Sequence, residues 1–537
     1  MAVTKVIGLE TEYGIICNTT ADSSSGVSVT SASSLLIAAY MRLVKQGHTA
    51  MHDLTLNFDS DFPVDNEMAV KEQVFGSAVS NSVKWDFSHE TPDLDVRAAN
   101  ESESSAANVD TQMLNVVLTN GARYYVDHAH PEISTPECID ARMAVLYDRA
   151  AELIAIKSME AVKELTDDSV EIVVYKNNSD GNGNSYGCHE NYLVDRTTSF
   201  SSIVCYATTH FVTRQIFTGA GKVGAESSGF RLDFDGFQLC QRADFIEEEI
   251  GLETTLRRPI INTRDEPHAD PRKYRRLHVI LGDANLSQVA NFLKLGTTAL
   301  VLAMIEDNMI NFELEFASPV EALHTVSRDL TLQQPLLLAD GRTITALAVQ
   351  WDLLAAARTY VEYYEADAVG GEVAYDVLDC WESVLTGLES DPMQLARQVD
   401  WVAKLRLLEG YRERHNLSWN DPRLRMLDIQ YHDLRPDRSL AQRLGLETLI
   451  DDVDAVKAMR DPPFDTRAFF RGRCLQHFMS DVVAANWDSV VFNVGSGLLH
   501  RVAMMEPSQG TSAHVGDLFD ECQSAAELLS RLDSVVS

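Results

Sequence analysis

The amino-acid sequence predicts an α+β protein, because strand signals and helix signals occupy different parts of the chain. Strand-like segments recur up to residue 282, and helical periodicity dominates from residue 286 onward. A final segment from about residue 446 to 537 contains both kinds of signal, which predicts a small C-terminal domain after a large first one. A chain of 537 residues, 45% of them hydrophobic, is long enough for a large core and more than one domain.

The individual elements follow from periodicity, in chain order. Residues 3–16 read as a strand and residues 33–46 as a helix. Residues from about 50 to 110 are acidic and irregular, a composition that predicts a mobile insert or loop rather than a folded subdomain. Further strands are predicted at 113–127, 170–176, 230–248 and 258–282. Further helices are predicted at 141–165, 286–308, 349–366, 373–389 and 393–416.

The charge of the chain disfavours some partners. With 80 Asp+Glu against 45 Lys+Arg, the formal net charge is -35, and such a field repels nucleic-acid backbones. The N-terminus has no long apolar segment, and the longest apolar stretch, residues 297–305, is too short to span a bilayer. The 8 cysteines form no C-x-x-C pair, as expected for reduced thiols. We therefore expect a soluble cytoplasmic protein with no membrane contact.

The first strand carries two carboxylates at alternate positions, Glu10 and Glu12 in "GLETEYG". In a β-strand, residues two apart share a face and lie about 6–7 Å from each other. Two oxygen-bearing side chains at that spacing suit Mg²⁺ or Mn²⁺. A solvent-facing strand side gives the same pattern, so the spacing alone leaves both interpretations open.

A second strand, "GARYYVDHAHPEISTPE" at residues 121–137, ends in titratable side chains. Alternation puts Arg123, Tyr125 and Asp127 on one face, where they could contact a phosphate, a metal ion or a reacting carbonyl group. The pair His128 and His130 could instead hold a transition metal, but an H-x-H pair needs further ligands. For these histidines we favour a role as hydrogen-bonding groups in the turn.

Two later segments add candidates. In "YKNNSDGNGNSYGCHENYL", His189 and Asn191 share a face if the segment is extended, while its glycines match neither a dinucleotide-binding nor a calcium-binding pattern. Residues 241–280 are the densest cationic region, and strand-borne arginines suit phosphate. We expect Arg272, Lys273, Arg275 and Arg276 to cluster in one turn. The sequence contains no H-E-x-x-H or Walker A pattern.

Six separated motifs together resemble the Pup ligase and Pup deamidase family, whose catalytic fold resembles glutamine synthetase. They are "GLETEYG", "NGARYYVDHAHPEISTPE", "YKNN-DG-G-SYG-HENYL", "RPIINTRDEPHAD-RKYRRLHVI-GDANL", "DPPFDTRAFFRG" and "WDSVVF". The resemblance implies an antiparallel sheet cradle packed by helices over residues 1–445. It also implies that residues 446–537 close on a bound nucleotide.

Carried over residue by residue, the resemblance implies an ATP (or ADP) and Mg²⁺ site. Asp127 takes the position of the catalytic aspartate. The implied metal-binding residues are Glu10, Glu12, Tyr125, Glu132, His189 and His278. The implied nucleotide-binding residues are Arg123, Thr135, Asn191, Arg242, Arg264 and Trp487.

The resemblance favours the hydrolase branch of the family, because "DHAHPE" stands where the ligase branch has "D-x-G-S-H-P-E". The implied substrate is Pup, a small acidic disordered protein ending in Gln or Glu, together with pupylated proteins. The implied reaction is hydrolysis of the terminal side-chain amide, either of Pup-Gln or of the isopeptide bond to a lysine. Asp127 would act as nucleophile or as base. The alternatives are a Pup–protein ligase working through a glutamyl phosphate and a Pup-binding protein without activity.

Overall fold

The computed structural model describes residues 1–19, 28–47, 82–88, 90–91, 94–97, 114–226, 234–310, 313–364, 366–495 and 497–536. Over these residues the protein is a mixed α/β structure, which confirms the predicted fold class. Its strands are β1 Ile7–Glu12, β2 Gly14–Thr19, β3 Lys84–Trp85, β4 Asn115–Val117, β5 Arg123–Asp127, β6 His130–Ser134, β7 Val170–Tyr175, β8 Cys188–Asp195, β9 Lys222–Val223, β10 Phe237–Gln238, β11 Ile246–Gly251, β12 Arg258–Asn262, β13 Tyr274–Val279, β14 Leu336–Leu337, β15 Thr343–Ile344, β16 Val482–Ala485, β17 Ser489–Asn493 and β18 Leu499–Ala503.

The α-helices of the described residues lie mainly in the second half of the chain. They are α1 Val29–Gly47, α2 Ala141–Leu165, α3 Phe200–Thr213, α4 Gln215–Thr218, α5 Gln288–Glu306, α6 Pro319–Arg328, α7 Ala346–Tyr364, α8 Glu372–Ser390, α9 Asp400–His415, α10 Pro422–Tyr431, α11 Leu440–Leu444, α12 Asp452–Ala458, α13 Ala468–Phe478, α14 Ser512–Glu521 and α15 Ala525–Val536. The predicted helix at 141–165 is therefore confirmed to the residue, and the predicted helices that follow it are shifted by a few residues.

Ten strands form one sheet, in the order β13-β8-β1-β6-β5-β4-β3-β16-β17-β18. Neighbouring strands are antiparallel except β3 and β16, which are parallel. The sheet places β1 between β6 and β8, so Glu10 lies opposite Ser134 on one side and His189 on the other. Glu12 lies opposite Glu132. Residues far apart in sequence are thereby brought to one face.

Alternating side chains decide which face of each strand is buried. In β1, Ile7 and Leu9 are 1% exposed and pack into the main core, while the intervening Glu10 is only half-buried. In β5, Tyr124 and Val126 pack into a second core beneath α1 and α2, so the side chains next to them face the other way. The alternation predicted for both strands is confirmed.

Helices pack against the buried face of the sheet. Helix α2 begins after Asp140, whose side chain accepts a hydrogen bond from the Met143 N–H at 2.8 Å. Helix α5 is long and apolar enough to cross a membrane by composition, but 94% of its apolar window is buried inside the protein. Burial of that extent is typical of a core helix in a globular protein.

Two predicted segments differ in the structure. The single strand predicted at 113–127 is a hairpin of β4 and β5, because Gly121 turns the chain with a φ of 83°. Of the insert predicted at about 50–110, residues 82–88, 90–91 and 94–97 are described, and β3 among them joins the main sheet. Most of the insert lies outside the described residues.

The C-terminal elements α13 to α15 and β16 to β18 pack around their own apolar cluster. Phe470, Leu475 and Phe492 lie in it, together with Trp85 and Val117 from the first part of the chain. The cluster therefore joins distant parts of the sequence, and a domain boundary at residue 445 stays a prediction.

Candidate active site

A cleft of about 550 Å³ opens on the sheet face that carries Glu10. Its walls include Gly8, Glu10, Thr135, Asn191 and Trp487. At Gly8 no atom lies within 4 Å of the position that a Cβ would take, so the backbone of β1 borders open space.

One group of possible metal ligands lies at this cleft. The ligand atoms of Glu10, His189 and His278 lie within 4.8 Å of one another. Asn191 holds the group together: its Nδ2 donates to Glu10 Oε1 at 2.9 Å and its Oδ1 lies 2.9 Å from His278 Nδ1. Arg276 also donates to Asn191 Oδ1, at 2.7 Å.

The cations around Glu10 keep its carboxylate ionised. Burial would raise the pKa of Glu10, but its interactions with His189 and His278 and the positive charge of Arg276 hold it well below its ordinary value. Burial, with Arg276 nearby, lowers the pKa of His278 well below its ordinary value. A neutral imidazole beside an ionised carboxylate is the state in which both groups can bind a metal ion.

A second group of possible metal ligands lies two residues further along β1, at Glu12. The ligand atoms of Glu12, Asp127 and Glu132 lie within 4.8 Å of one another. Burial raises the pKa of Glu132 well above its ordinary value, and the charges of Asp127, Glu12 and Glu10 raise it further. Four carboxylates so close together repel one another, and a divalent cation would relieve that repulsion. The donor set therefore fits Mg²⁺.

Asp127 is the most accessible carboxylate of this second group. Its side chain is 38% exposed, and its Oδ2 lies 3.0 Å from Nδ1 of His128. Burial would raise the pKa of Asp127, but the hydrogen bond from His128 and the charges of His189 and Arg123 lower it. Neither His128 nor His130 belongs to the two ligand groups found among the described residues. His130 instead packs its ring on Tyr186, at 4.6 Å between centroids.

The other predicted residues of the second strand border this region. The Arg123 guanidinium lies between the rings of Trp85 and Tyr125, 4.2 Å and 3.9 Å from their centroids. Trp85 in turn packs edge-on against Trp487, a cleft residue, at 5.0 Å. Thr135 lines the cleft, and its Oγ1 accepts a hydrogen bond from the Leu9 N–H at 3.0 Å.

Three predicted nucleotide-binding residues, Arg123, Arg242 and Arg264, do not line the cleft. Arg242 is buried elsewhere and donates to Ser185 Oγ at 3.1 Å and to the Tyr186 carbonyl at 2.6 Å. The backbone of Arg264 pairs with that of Asp95 in an isolated antiparallel β-bridge. The charge of Arg264 contributes to the lowered pKa of His278, after burial and Arg276. Nucleotide-binding roles for these arginines stay predictions.

The structure adds residues that sequence reasoning missed. Arg276, His268, Glu137 and Arg467 line the cleft. The prediction that Arg275 and Arg276 belong to an exposed turn is wrong, since both lie in β13 and are 8% and 9% exposed. The apolar residues that alternate with charge in "YRRLHV" were the available signal for a strand.

Comparisons with known proteins show the family of this chain. A profile of the family described as "Pup-ligase protein" matches residues 5–491. The depupylase of Acidothermus cellulolyticus is 52% identical over 489 residues, which cover 88% of this chain and 96% of that protein. The Pup deamidase/depupylase of Mycolicibacterium smegmatis is 48% identical over 458 residues, covering 84% of this chain and 90% of the relative.

Two solved structures share the fold. The complex of Pup with its ligase PafA superimposes with a TM-score of 0.74 at 28% identity, covering 99% of this chain and 94% of that one. PafA in complex with ADP gives a TM-score of 0.69 at 30% identity, covering 88% and 98% respectively. Because the family profile and the relatives both span most of its length, this chain belongs to the Pup-ligase family.

Proposed function

We propose that this protein is a Pup amidohydrolase. It would deamidate a C-terminal Gln of Pup to Glu and cleave the isopeptide bond between Pup and a substrate lysine. The main support is 52% identity to a depupylase over 88% of the chain, combined with an accessible Asp127 beside two groups of metal ligands.

ATP or ADP and Mg²⁺ are the cofactors that the site fits. The cleft would take the nucleotide, with Arg276 and Arg467 facing its phosphates and Trp487 closing one wall. Glu10, His189 and His278 would hold one metal ion, and Glu12 with Glu132 a second. When bound, Mg²⁺ would supply positive charge that polarises the amide carbonyl.

Asp127 performs the chemical step of the proposal. Its low pKa keeps the carboxylate ionised, as required for a nucleophile or a base. As nucleophile it would attack the amide carbon, release ammonia or the lysine amine, and leave a short-lived anhydride for water to open. As base it would instead take a proton from the attacking water.

We also propose that the protein is located in the cytoplasm. All eight cysteines are free thiols in the structure, and five of them are buried. Thiols in this state persist in a reducing compartment.

The direct test is incubation of the protein with Pup ending in Gln, and separately with a pupylated protein, in the presence of ATP and Mg²⁺. We expect the mass of Pup to increase by about 1 Da when its Gln is converted to Glu. From the conjugate we expect release of the target protein with an unmodified lysine side chain. No change in either substrate would contradict the proposal.

A ligase activity is the alternative, since PafA shares the fold. Pup ending in Glu, ATP, Mg²⁺ and an acceptor protein would then yield a conjugate with one ADP for each bond formed. We expect no conjugate, and its accumulation would favour the ligase.

A further inference from the structure

Two arginines outside the cleft, Arg242 and Arg258, lie near the Glu12 end of the site. Along β1, Gly8 and Glu10 line the cleft and Glu12 does not. The charge of Glu12 acts on both guanidinium groups and raises the pKa of each against the effect of burial. The arginines therefore lie beyond the carboxylates, away from the proposed nucleotide.

Neither guanidinium group has an anionic partner among the described residues. Arg242 is 1% exposed, and its Nε has no hydrogen-bond acceptor there. Arg258 donates only to backbone carbonyls, from Nε to Thr254 at 2.8 Å and from Nη2 to Ser185 at 3.4 Å. Buried charges in proteins are normally paired, so the unpaired guanidinium group of buried Arg242, with the half-buried Arg258 nearby, indicates that an anion is missing.

The two arginines also repel each other. Burial and the charge of Arg242 together lower the pKa of Arg258 to about 10. Both are held to the same loop, because Arg242 contacts Ser185 and Tyr186 and Arg258 contacts Ser185. An anion bound between them would relieve the repulsion and fill the free donor positions.

We infer that Arg242 and Arg258 bind the α-carboxylate of the substrate's C-terminal residue. The inference rests on the proposed function, in which both substrates react at the side chain of that residue and keep a free α-carboxylate. The planar fork of Arg matches a carboxylate. A site of this kind would restrict hydrolysis to C-terminal Gln and would reject internal Gln residues.

The spacing within a glutamine residue agrees with this placement. Four carbon–carbon bonds of about 1.5 Å separate the α-carboxyl carbon from the side-chain amide carbon, a span of about 5 Å. Glu12 lies near both Asp127 and the two arginines. Its ligand atom lies within 4.8 Å of that of Asp127, and its charge acts on both guanidinium groups. A terminal Gln held by the arginines would thus present its amide near Asp127.

A phosphate of the nucleotide is the other anion present in the reaction. The cleft already has its own arginines, Arg276 and Arg467, and neither Arg242 nor Arg258 lines it. The carboxylate is therefore the better match, and the experiment separates the two anions.

The experiment compares Pup-Gln with a free C-terminus and Pup-Gln whose α-carboxylate is a carboxamide. With wild-type protein, ATP and Mg²⁺, we expect kcat/KM to be about 10- to 100-fold lower for the carboxamide, as for loss of a charge-assisted hydrogen-bonding pair. In Arg258→Gln the free acid should lose a similar factor, while the carboxamide should lose little more. The matched control is Arg257→Gln, since Arg257 is 73% exposed and pairs with Glu248.

Equal rates for the two substrates with wild-type protein would overturn the inference. A raised Kd for ADP in Arg258→Gln, with the preference for the free acid unchanged, would also overturn it and assign the arginines to phosphate. If wild-type protein hydrolyses neither substrate, the proposed function fails, and binding of the two Pup forms measured by fluorescence anisotropy then decides. Tighter binding of the free acid that Arg258→Gln abolishes would still support the inference, and equal binding would overturn it.

Discussion

At the scale of single residues, Asp127 carries the chemistry of the proposal. Asp127→Asn keeps the shape of the side chain and removes the charge needed by a nucleophile or a base. We expect the rate of Pup-Gln deamidation to fall by about 10³-fold or more, with the Kd for ADP changed little. The control is Asp379→Asn, an exposed carboxylate on α8, which should keep full activity.

The two roles of Asp127 differ in where solvent oxygen appears. In a single turnover in H₂¹⁸O, the anhydride places ¹⁸O in the Asp127 carboxylate when water attacks the carbonyl carbon that belongs to Asp127. A base that activates water leaves Asp127 unlabelled. Full activity of Asp127→Asn would contradict both roles.

A second prediction for a single residue concerns the contribution of Glu137 to the stability of the fold. It accepts hydrogen bonds from Arg467, at 2.7 Å, and from Arg471, and both arginines are buried in α13 or at its start. Burial would raise the pKa of Glu137, but these arginines lower it to about 2. Glu137→Gln leaves two buried cations without their partner, and we expect about 3–5 kcal/mol lower free energy of unfolding at pH 7.

The stabilisation contributed by the Glu137 carboxylate depends on pH. Since the pKa of Glu137 is lower in the folded protein than its ordinary value of 4.5, its stabilisation is fully present above pH 4.5 and is lost between about 4.5 and 2. Urea unfolding of wild type and Glu137→Gln across this range should show the difference shrinking as pH falls. Glu382→Gln, which removes an exposed pair with Arg358, should leave stability unchanged.

At the scale of elements, β1 has an apolar face in the core and a functional face in the cleft. Gly8 lies on the functional face, and a side chain there would project into the cleft without meeting the protein. Gly8→Val should therefore fold normally, with an unchanged melting temperature, yet bind ADP about tenfold more weakly. Gly410→Val is the matched control, because Gly410 in α9 also has no atom within 4 Å of a Cβ position. Unchanged ADP affinity in Gly8→Val would place the nucleotide elsewhere.

Local patterns predicted much of these elements, because strand alternation is set by neighbouring residues. The spacing of Glu10 and Glu12, and of Tyr125 and Asp127, is a property of one strand and needs no knowledge of its partners. The division into two ligand groups could not be predicted in this way. It depends on β1 lying between β6 and β8, which brings His189 to one carboxylate and Glu132 to the other.

Charged residues whose position depends on distant packing were the hardest to predict. Arg276 looked like a turn residue in an acidic chain, but β13 pairs with β8 and carries it to Asn191. Arg242 looked like a phosphate ligand, but the loop at Ser185 holds it away from the cleft. In both cases the local sequence specified the charge and the tertiary contacts specified its role.

At the scale of the whole molecule, the net charge of -35 should govern how the protein meets the acidic substrate of the proposal. Like charges repel over roughly the Debye length, which is about 30 Å at 0.01 M salt and about 10 Å at 0.1 M. Contacts with the buried Arg242 and the half-buried Arg258 are screened much less. Added salt should therefore weaken the long-range repulsion and leave the short-range attraction nearly intact.

We expect kcat/KM for Pup-Gln to rise a few-fold as KCl increases from about 10 to 100 mM at saturating ATP and Mg²⁺, because association of like-charged partners is faster when screened. The gain should appear in KM rather than kcat, since the chemical step at Asp127 does not involve the distant surface. A Pup-Gln form with its acidic side chains replaced by amides is the control, and its kcat/KM should change little with salt. A kcat/KM that falls as salt rises would mean instead that local cationic surfaces outweigh the net charge along the path of the substrate.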